Sequence, residues 1–157
     1  MNLFWANIFR RSDSELQTIS RMWQGTPLFE GIPKHHIEHL CGNMHRREFK
    51  PGETIFHLGD QGAGAILVLQ GSVRIVAGEI ELAHFESGDF FGEIALATTE
   101  MRTADAVAVD ACQLIYFLKQ DLEEWIEHEP RLGARFLMNL SAVLGHRLYE
   151  INAKGSS

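Results

Sequence analysis

Short apolar segments separated by glycine turns occupy the middle of this 157-residue chain. From Met44 onward, the spacing of apolar residues changes from the period of a helix to the two-residue period of a strand. The segments with this period read HRREFK, ETIFHLG, AILVLQ, SVRIVA, EIELAHF, DAVAV and ACQLIYF, and turn sequences such as PGE, GDQG and SGD lie between them. Seven or eight short strands joined by tight turns predict a sandwich or a small barrel. A doubly wound α/β fold is disfavoured, because it needs long alternating helices.

Helical spacing returns on both sides of this β-rich region. The longest helical pattern ends the chain, and apolar residues recur there at every third or fourth position, which predicts one apolar face. Its members are Leu137, Leu140, Leu144, Leu148 and Ile151. We therefore expect a mainly β fold with flanking helices. The predicted division is an N-terminal helical segment at 1–26, a main domain at 27–152 with strands at 44–117 and helices at 119–152, and a tail at 153–157.

Composition limits the classes of function. Hydrophobic residues make up 45% of the chain and charged residues 22%, both ordinary for a globular protein. The net charge of −7 repels phosphate backbones, so non-specific nucleic-acid binding is not expected. The N-terminus lacks a secretory signal. Cys41 and Cys112 lie far apart in unlike contexts, which fits a reducing compartment, and we expect a cytoplasmic protein.

The stretch FGEIALATTEMRTA holds the most specific chemistry in the sequence. Gly92 opens one helical turn, where the first backbone N–H groups lack helical partners and suit an anion. Arg102 follows with a planar set of donors that matches two phosphate oxygens, and Thr103 adds a hydroxyl. Glu93 only accepts hydrogen bonds when ionised, so it suits sugar hydroxyls rather than phosphate. A phosphate-bearing sugar is the ligand that these groups predict.

These residues resemble the phosphate-binding cassette of the cyclic nucleotide-binding domain family. That family includes bacterial catabolite activators, regulatory subunits of cyclic-nucleotide-dependent kinases and cyclic-nucleotide-gated channels. The segments PLFEGIP, FKPGETIFHLGD, LVLQGSVRIV and ESGDFFGE also follow the family's order, so the resemblance covers roughly residues 27–152. Met101 and Ala106 depart from it, since proline and valine are common there, but neither change removes a predicted ligand contact.

The resemblance implies a fold and a set of ligand contacts. The fold is a jelly-roll-like β-roll, also called a double-stranded β-helix, with N-terminal helices and C-terminal hinge and lid helices. Glu93 would hold the ribose 2′-hydroxyl, while Arg102 and Thr103 would bind the cyclic phosphate. The remaining cassette residues are Phe91, Gly92, Ile94, Ala95 and Ala104. Residues expected at the ribose and base are Ile75, Leu82, Ala83 and Arg147.

The expected function is that of a stand-alone regulatory module, because no helix-turn-helix follows Asn152. Its ligand would be cyclic AMP in preference to cyclic GMP. Occupancy would reach a protein partner or a homodimer through the C-terminal helix. An alternative is a non-signalling interaction domain that has the same fold and binds no nucleotide.

Metal binding, catalysis and membrane contact are weaker interpretations. A metal site could involve His35, His36, His39, Cys41 and His45, and His35 and His39 are one helical turn apart, but no acidic third ligand is placed well. A metal-dependent cupin-like enzyme is disfavoured, because the His-x-His strand signature of cupins is missing. No nucleophile has a matching histidine and acid, so we predict no catalytic residues, no metal and no cofactor. Residues 1–11 carry Phe and Trp before two arginines; we expect them to pack on protein rather than on a membrane surface.

Overall fold

The structure, a computed structural model, describes residues 13–155. The predictions made for residues 1–11 therefore lie outside the described residues. Four α-helices are present in the described range: α1 at Asp13–Gln24, α2 at Lys34–Gly42, α3 at Lys119–His128 and α4 at Pro130–Gly155. Two short 3-10 helices lie at Pro27–Phe29 and Glu93–Leu96. The strands are β1 His45–Phe49, β2 Thr54–Phe56, β3 Gly64–Gln70, β4 Ser72–Ala77, β5 Ile80–Glu86, β6 Phe90–Phe91, β7 Asp105–Ala108 and β8 Cys112–Leu118.

The eight strands form two four-stranded antiparallel sheets. Their orders are β1-β8-β3-β6 and β2-β7-β4-β5, so each sheet takes strands from both ends of the β-region. This arrangement confirms the predicted mainly β fold with flanking helices. Apolar side chains from both sheets form one core cluster between them, which includes Phe49, Val73 and Phe91.

The central strands of the first sheet are buried on both faces. Ile66 and Leu114 point into the cluster between the sheets, whereas Leu67, Ile115 and Phe117 pack against the helices. The continuous apolar runs in β3 and β8 follow from this double burial, which removes the usual alternation of apolar and polar residues. Each such side chain contributes about 1.5–3 kcal/mol through burial.

The first half of α4 is fixed to the body of the domain. The ring of Phe136 is fully buried and meets the ring of Phe29 at a centroid distance of 5.2 Å. The side-chain amide of Asn139 donates to the carbonyl oxygens of Leu28 at 2.9 Å and Glu30 at 2.8 Å. Both the apolar and the polar contacts thus hold this half of α4 against the 3-10 helix Pro27–Phe29.

The second half of α4 is largely exposed. Leu140 is buried, but Leu137, Leu148 and Ile151 are 41%, 58% and 67% exposed, so the predicted apolar stripe does not form a single buried face. The helix also continues through Gly155 and overlaps the tail predicted at 153–157. None of the helices within residues 13–155 combines the length and the apolar character needed to cross a membrane.

Candidate functional site

A cavity of about 560 Å³ lies between the second sheet, the segment after β6 and the second half of α4. Ten of the twelve residues that the sequence predicted line it. They are Ile75, Ala83, Phe91, Gly92, Glu93, Ile94, Arg102, Thr103, Ala104 and Arg147. A groove of similar volume, about 580 Å³, lies beside α1, but its Arg46 is already ion-paired with Glu15 and Glu48. The first cavity is therefore the better candidate for binding an anion.

The turn that starts the cassette depends on Gly92. Its backbone is left-handed, with φ 70° and ψ 17°, and a Cβ there would lie 2.7 Å from Arg102 Nη1. Glycine is the residue that meets both conditions without strain. The chain then makes the single 3-10 turn Glu93–Leu96, which brings Glu93 and Ile94 to the cavity.

Arg102 reaches the cavity wall from the loop before β7. Its guanidinium donates from Nη1 to the Gly92 carbonyl at 3.1 Å and from Nη2 to the Gly64 carbonyl at 3.0 Å. Its Cζ also lies 4.5 Å from the centre of the Phe56 ring. No carboxylate in residues 13–155 forms an ion pair with it, and desolvation lowers the pKa of this guanidinium. A half-buried cation without an anionic partner is a strong site for an anion.

Glu93 and Arg147 form an ion pair at the other side of the cavity. Arg147 Nη1 lies 2.6 Å from Glu93 Oε1 and donates to Oε2 at 2.8 Å, while Nη2 donates to the Phe90 carbonyl at 3.1 Å. The Glu93 side chain is almost fully buried, and burial raises the pKa of its carboxyl although the nearby Arg147 charge opposes the shift. The sequence assigned Arg147 to the base, whereas the structure pairs it with the carboxylate predicted to hold the ribose.

Aromatic rings form the floor of the cavity. The rings of Phe85 and Phe91 are stacked at 5.1 Å with an interplanar angle of 13°, and the ring of Phe56 lies 6.3 Å from that of Phe91. Five residues that line the cavity were not predicted from the sequence: Phe56, Phe85, Glu100, Met101 and Ile151. Strand alternation could have identified Phe85, because Phe85 and Ala83 are two residues apart in β5 and share a face.

Leu82 and Ala95 are the two predicted residues that do not line the cavity. Leu82 is 58% exposed, because strand alternation in β5 points it away from the face that Ala83 and Phe85 share. The register shift between Ile75 and Val76 also leaves Leu82 outside the regular ladder. Ala95 is a buried residue of the 3-10 turn Glu93–Leu96, and its N–H donates to the Gly92 carbonyl at 3.1 Å. That N–H is therefore engaged within the turn, contrary to the prediction that it points at an anion.

The histidines singled out in the sequence do not build a metal site. Within residues 13–155, no group of three or more His, Cys, Asp or Glu side chains has an arrangement that could hold a metal ion. The rings of His35 and His36 instead contact each other at 4.3 Å, and His36 meets the edge of Trp125.

Comparison with known proteins points to one family. The profile of the family described as "Cyclic nucleotide-binding domain" matches residues 46–129. The cyclic AMP receptor protein of Thermus thermophilus is 33% identical over 132 residues, which is 81% of this chain and 59% of that protein. The crystal structure of the Thermus thermophilus catabolite activator protein superposes with a TM-score of 0.72 at 32% identity, covering 83% of this chain and 62% of that one.

A solved cyclic nucleotide-binding domain from Methylobacillus flagellatus has the same fold, with a TM-score of 0.75 at 22% identity over 88% of this chain and 80% of its own. This chain spans less than two thirds of the Thermus thermophilus receptor. The profile match covers more than half of the chain and includes both the cassette and the aromatic floor of the cavity. The chain belongs to the cyclic nucleotide-binding domain family.

Proposed function

We propose that this chain is a regulatory module that binds a cyclic nucleoside monophosphate, cyclic AMP in preference to cyclic GMP. The observation that carries the proposal is Arg102, a desolvated guanidinium held at the cavity wall by two carbonyl oxygens and an aromatic ring. A phosphate that accepts two hydrogen bonds from the guanidinium would replace neutral carbonyl acceptors and give this cation an anionic partner. The choice of cyclic AMP is supported by the Thermus thermophilus relative, whose name is cyclic AMP receptor protein.

The rest of the cavity suits the other parts of such a ligand. Glu93 offers carboxylate oxygens that accept hydrogen bonds from ribose hydroxyls. The stacked rings of Phe85 and Phe91, with Ile75 and Ala83 beside them, offer apolar surface to a base. The module acts by binding and carries out no reaction in this proposal.

The relay to the C-terminal helix runs through Arg147. This residue lies on the exposed half of α4 and ties that half to the cavity through Glu93 and the Phe90 carbonyl. Ribose hydroxyls at Glu93 would compete with, or share, the oxygens that Arg147 uses. Because a ligand shifts a conformational equilibrium only through differential contacts, this shared carboxylate is the point where occupancy biases the position of α4.

The signal would leave this chain through an exposed surface of α4. Leu148, Tyr149 and Ile151 are 58%, 71% and 67% exposed, so three large hydrophobic side chains within four positions of the helix lie at the surface. We propose that this stretch contacts a partner chain or a second copy.

Neither Cys41 nor Cys112 forms a disulfide, which suits a protein that works in the reducing cytoplasm.

Calorimetric titration with cyclic AMP and cyclic GMP tests the ligand. We expect micromolar or tighter binding of cyclic AMP by the natural chain. Arg102→Ala should weaken binding roughly 10- to 100-fold, because charge-assisted hydrogen bonds are lost. Arg21→Ala, which removes an exposed arginine of α1 that does not line the cavity, is the matched control and should bind as the natural chain does.

The second candidate function is an interaction domain that does not bind nucleotide, and the exposed apolar stretch of α4 favours it. It predicts no heat and no thermal stabilisation with either nucleotide. Equal binding by the natural chain and by Arg102→Ala would also contradict the proposed site.

A further inference from the structure

The loop between β2 and β3 surrounds the backbone of Arg102. We call residues 59–64, the end of this loop together with the first residue of β3, the socket loop. The Gly59 N–H donates to the Arg102 carbonyl at 2.8 Å, and the Arg102 N–H donates to the Asp60 carbonyl at 2.7 Å. Gln61 and Met101 form an isolated antiparallel bridge next to these bonds. The backbone of the arginine is thus fixed by a loop that lies about 40 residues earlier in the sequence.

The same loop also holds the guanidinium. The Gly64 carbonyl accepts from Arg102 Nη2 at 3.0 Å. Gly62 is buried, and a Cβ on it would lie 2.7 Å from Ala95 Cβ and 3.1 Å from Arg102 Cζ. Gly62 does not have a positive φ, so its backbone conformation does not require glycine. The requirement at this position is space, because the cassette turn and the guanidinium both press on it.

We propose that the socket loop is a positioning element for Arg102 and that Gly62 is the residue on which this positioning depends. The inference rests on the proposed function, since Arg102 is its phosphate contact. An arginine side chain loses substantial rotamer freedom when it is fixed against a ligand. A socket that fixes the guanidinium beforehand removes most of this cost from the binding step. A Cβ at Gly62 would push the guanidinium or the cassette turn out of place and restore that cost.

Gly62→Ala and its rescue test this steric argument. We expect Gly62→Ala to weaken cyclic AMP binding about tenfold, the effect of losing one preorganised contact. Because the closest clash is with the Ala95 methyl group, the double variant Gly62→Ala with Ala95→Gly should regain most of the lost affinity. Gly42→Ala is the matched control: Gly42 ends α2, is exposed and has no atom within 4 Å of a new Cβ.

A spectroscopic measurement follows Arg102 without nucleotide. In ¹⁵N–¹H spectra, the Nε–Hε signal of Arg102 is assigned by its disappearance in Arg102→Lys. We expect Gly62→Ala to shift and broaden this signal, the double variant to return it toward its original position, and Gly42→Ala to leave it unchanged. A glycine that matters only for overall stability would not move this signal selectively.

The two readouts separate the two proposals. If Gly62→Ala keeps both the natural affinity and the natural Arg102 signal, the positioning inference is wrong. If the natural chain binds neither cyclic AMP nor cyclic GMP but the Arg102 signal responds as described, the proposed function fails and the positioning inference stands. Should Gly62→Ala not fold, Ala95→Ser, which adds one oxygen on the opposite side of the same contact, is measured in its place, and an unchanged signal and affinity would overturn the inference.

Discussion

The two charged residues that the sequence identified within the FGEIALATTEMRTA motif do not pair with each other. Glu93 is bonded to Arg147, which lies 54 positions away, while the bonds of Arg102 go to backbone carbonyls. The sequence predicted Glu93 and Arg102 because they belong to one short motif. It could not predict the partnership with Arg147, because a contact over such a separation depends on how α4 lies across the sheet.

The burial of Glu93 has a consequence for stability against pH. Its pKa in the folded protein is raised by desolvation above the ordinary value of 4.5, so the native state holds the proton more tightly than the unfolded chain does. The free energy of unfolding should therefore decrease as pH rises from about 4.5 through the raised native pKa. Glu93→Gln should flatten this part of the profile, which urea unfolding between pH 4 and 8 would measure.

The control for this experiment is Glu79→Gln, since Glu79 is exposed in the turn between β4 and β5 and its profile should follow that of the natural chain. Parallel profiles for the natural chain and Glu93→Gln would show that burial does not raise the pKa of this carboxyl.

Helix α4 has two halves with different surroundings. Up to Val143 it buries Gly133, Phe136 and Leu140, and after Gly145 none of its described residues is buried. The spacing of apolar residues correctly predicted a long final helix. The spacing did not predict which face is buried. The same period of three to four residues occurs in the buried half and in the exposed half, so it cannot distinguish them.

Two glycines of this helix should respond to alanine in opposite directions. A Cβ at Gly145 meets no atom within 4 Å, so Gly145→Ala should stabilise the exposed half by about 1 kcal/mol through helix propensity. A Cβ at Gly133 would lie 2.8 Å from Ile126 Cγ1, so Gly133→Ala should cost about 1–3 kcal/mol of overpacking.

Hydrogen exchange across residues 146–155 measures the first effect, and urea unfolding measures the second. Slower exchange after Gly145→Ala is expected, and unchanged exchange would mean that this glycine does not weaken the helix. A Gly133→Ala variant as stable as the natural chain would contradict the close packing against Ile126.

The fold of the molecule could be predicted from the sequence, whereas any assembly with another chain could not. Glycine turns and two-residue apolar spacing set the strands, and double burial of β3 and β8 explains the runs without alternation. The exposure of Leu82 follows from alternation in β5, but the register shift between Ile75 and Val76 has no such signal, because it depends on how two particular strands fit together. Whether this chain assembles depends in addition on the surface of a second chain, which this sequence does not contain unless the partner is a copy of itself.

Sedimentation tests the version of the proposal in which α4 pairs with its copy. We expect a dimer at high micromolar concentration in the presence of cyclic AMP. A chain carrying both Leu148→Glu and Tyr149→Glu should sediment as a monomer, because two charges would enter an apolar interface. Val109→Glu changes an exposed apolar residue in the turn between β7 and β8 and serves as the control. A natural chain that stays monomeric with cyclic AMP would contradict the pairing of α4 with its copy.

Because Arg102 is surrounded by neutral carbonyl groups, we expect the stability of this protein to depend on the anions in the buffer. Sulfate and inorganic phosphate present the same oxygens as a nucleotide phosphate, so we expect each to bind weakly to the folded chain if Arg102 is the phosphate contact. Binding to the folded state alone raises the melting temperature with the concentration of the ion. Nucleotide affinity measured in phosphate buffer would consequently come out lower than in chloride, and the choice of buffer would alter both stability and apparent affinity through this one side chain.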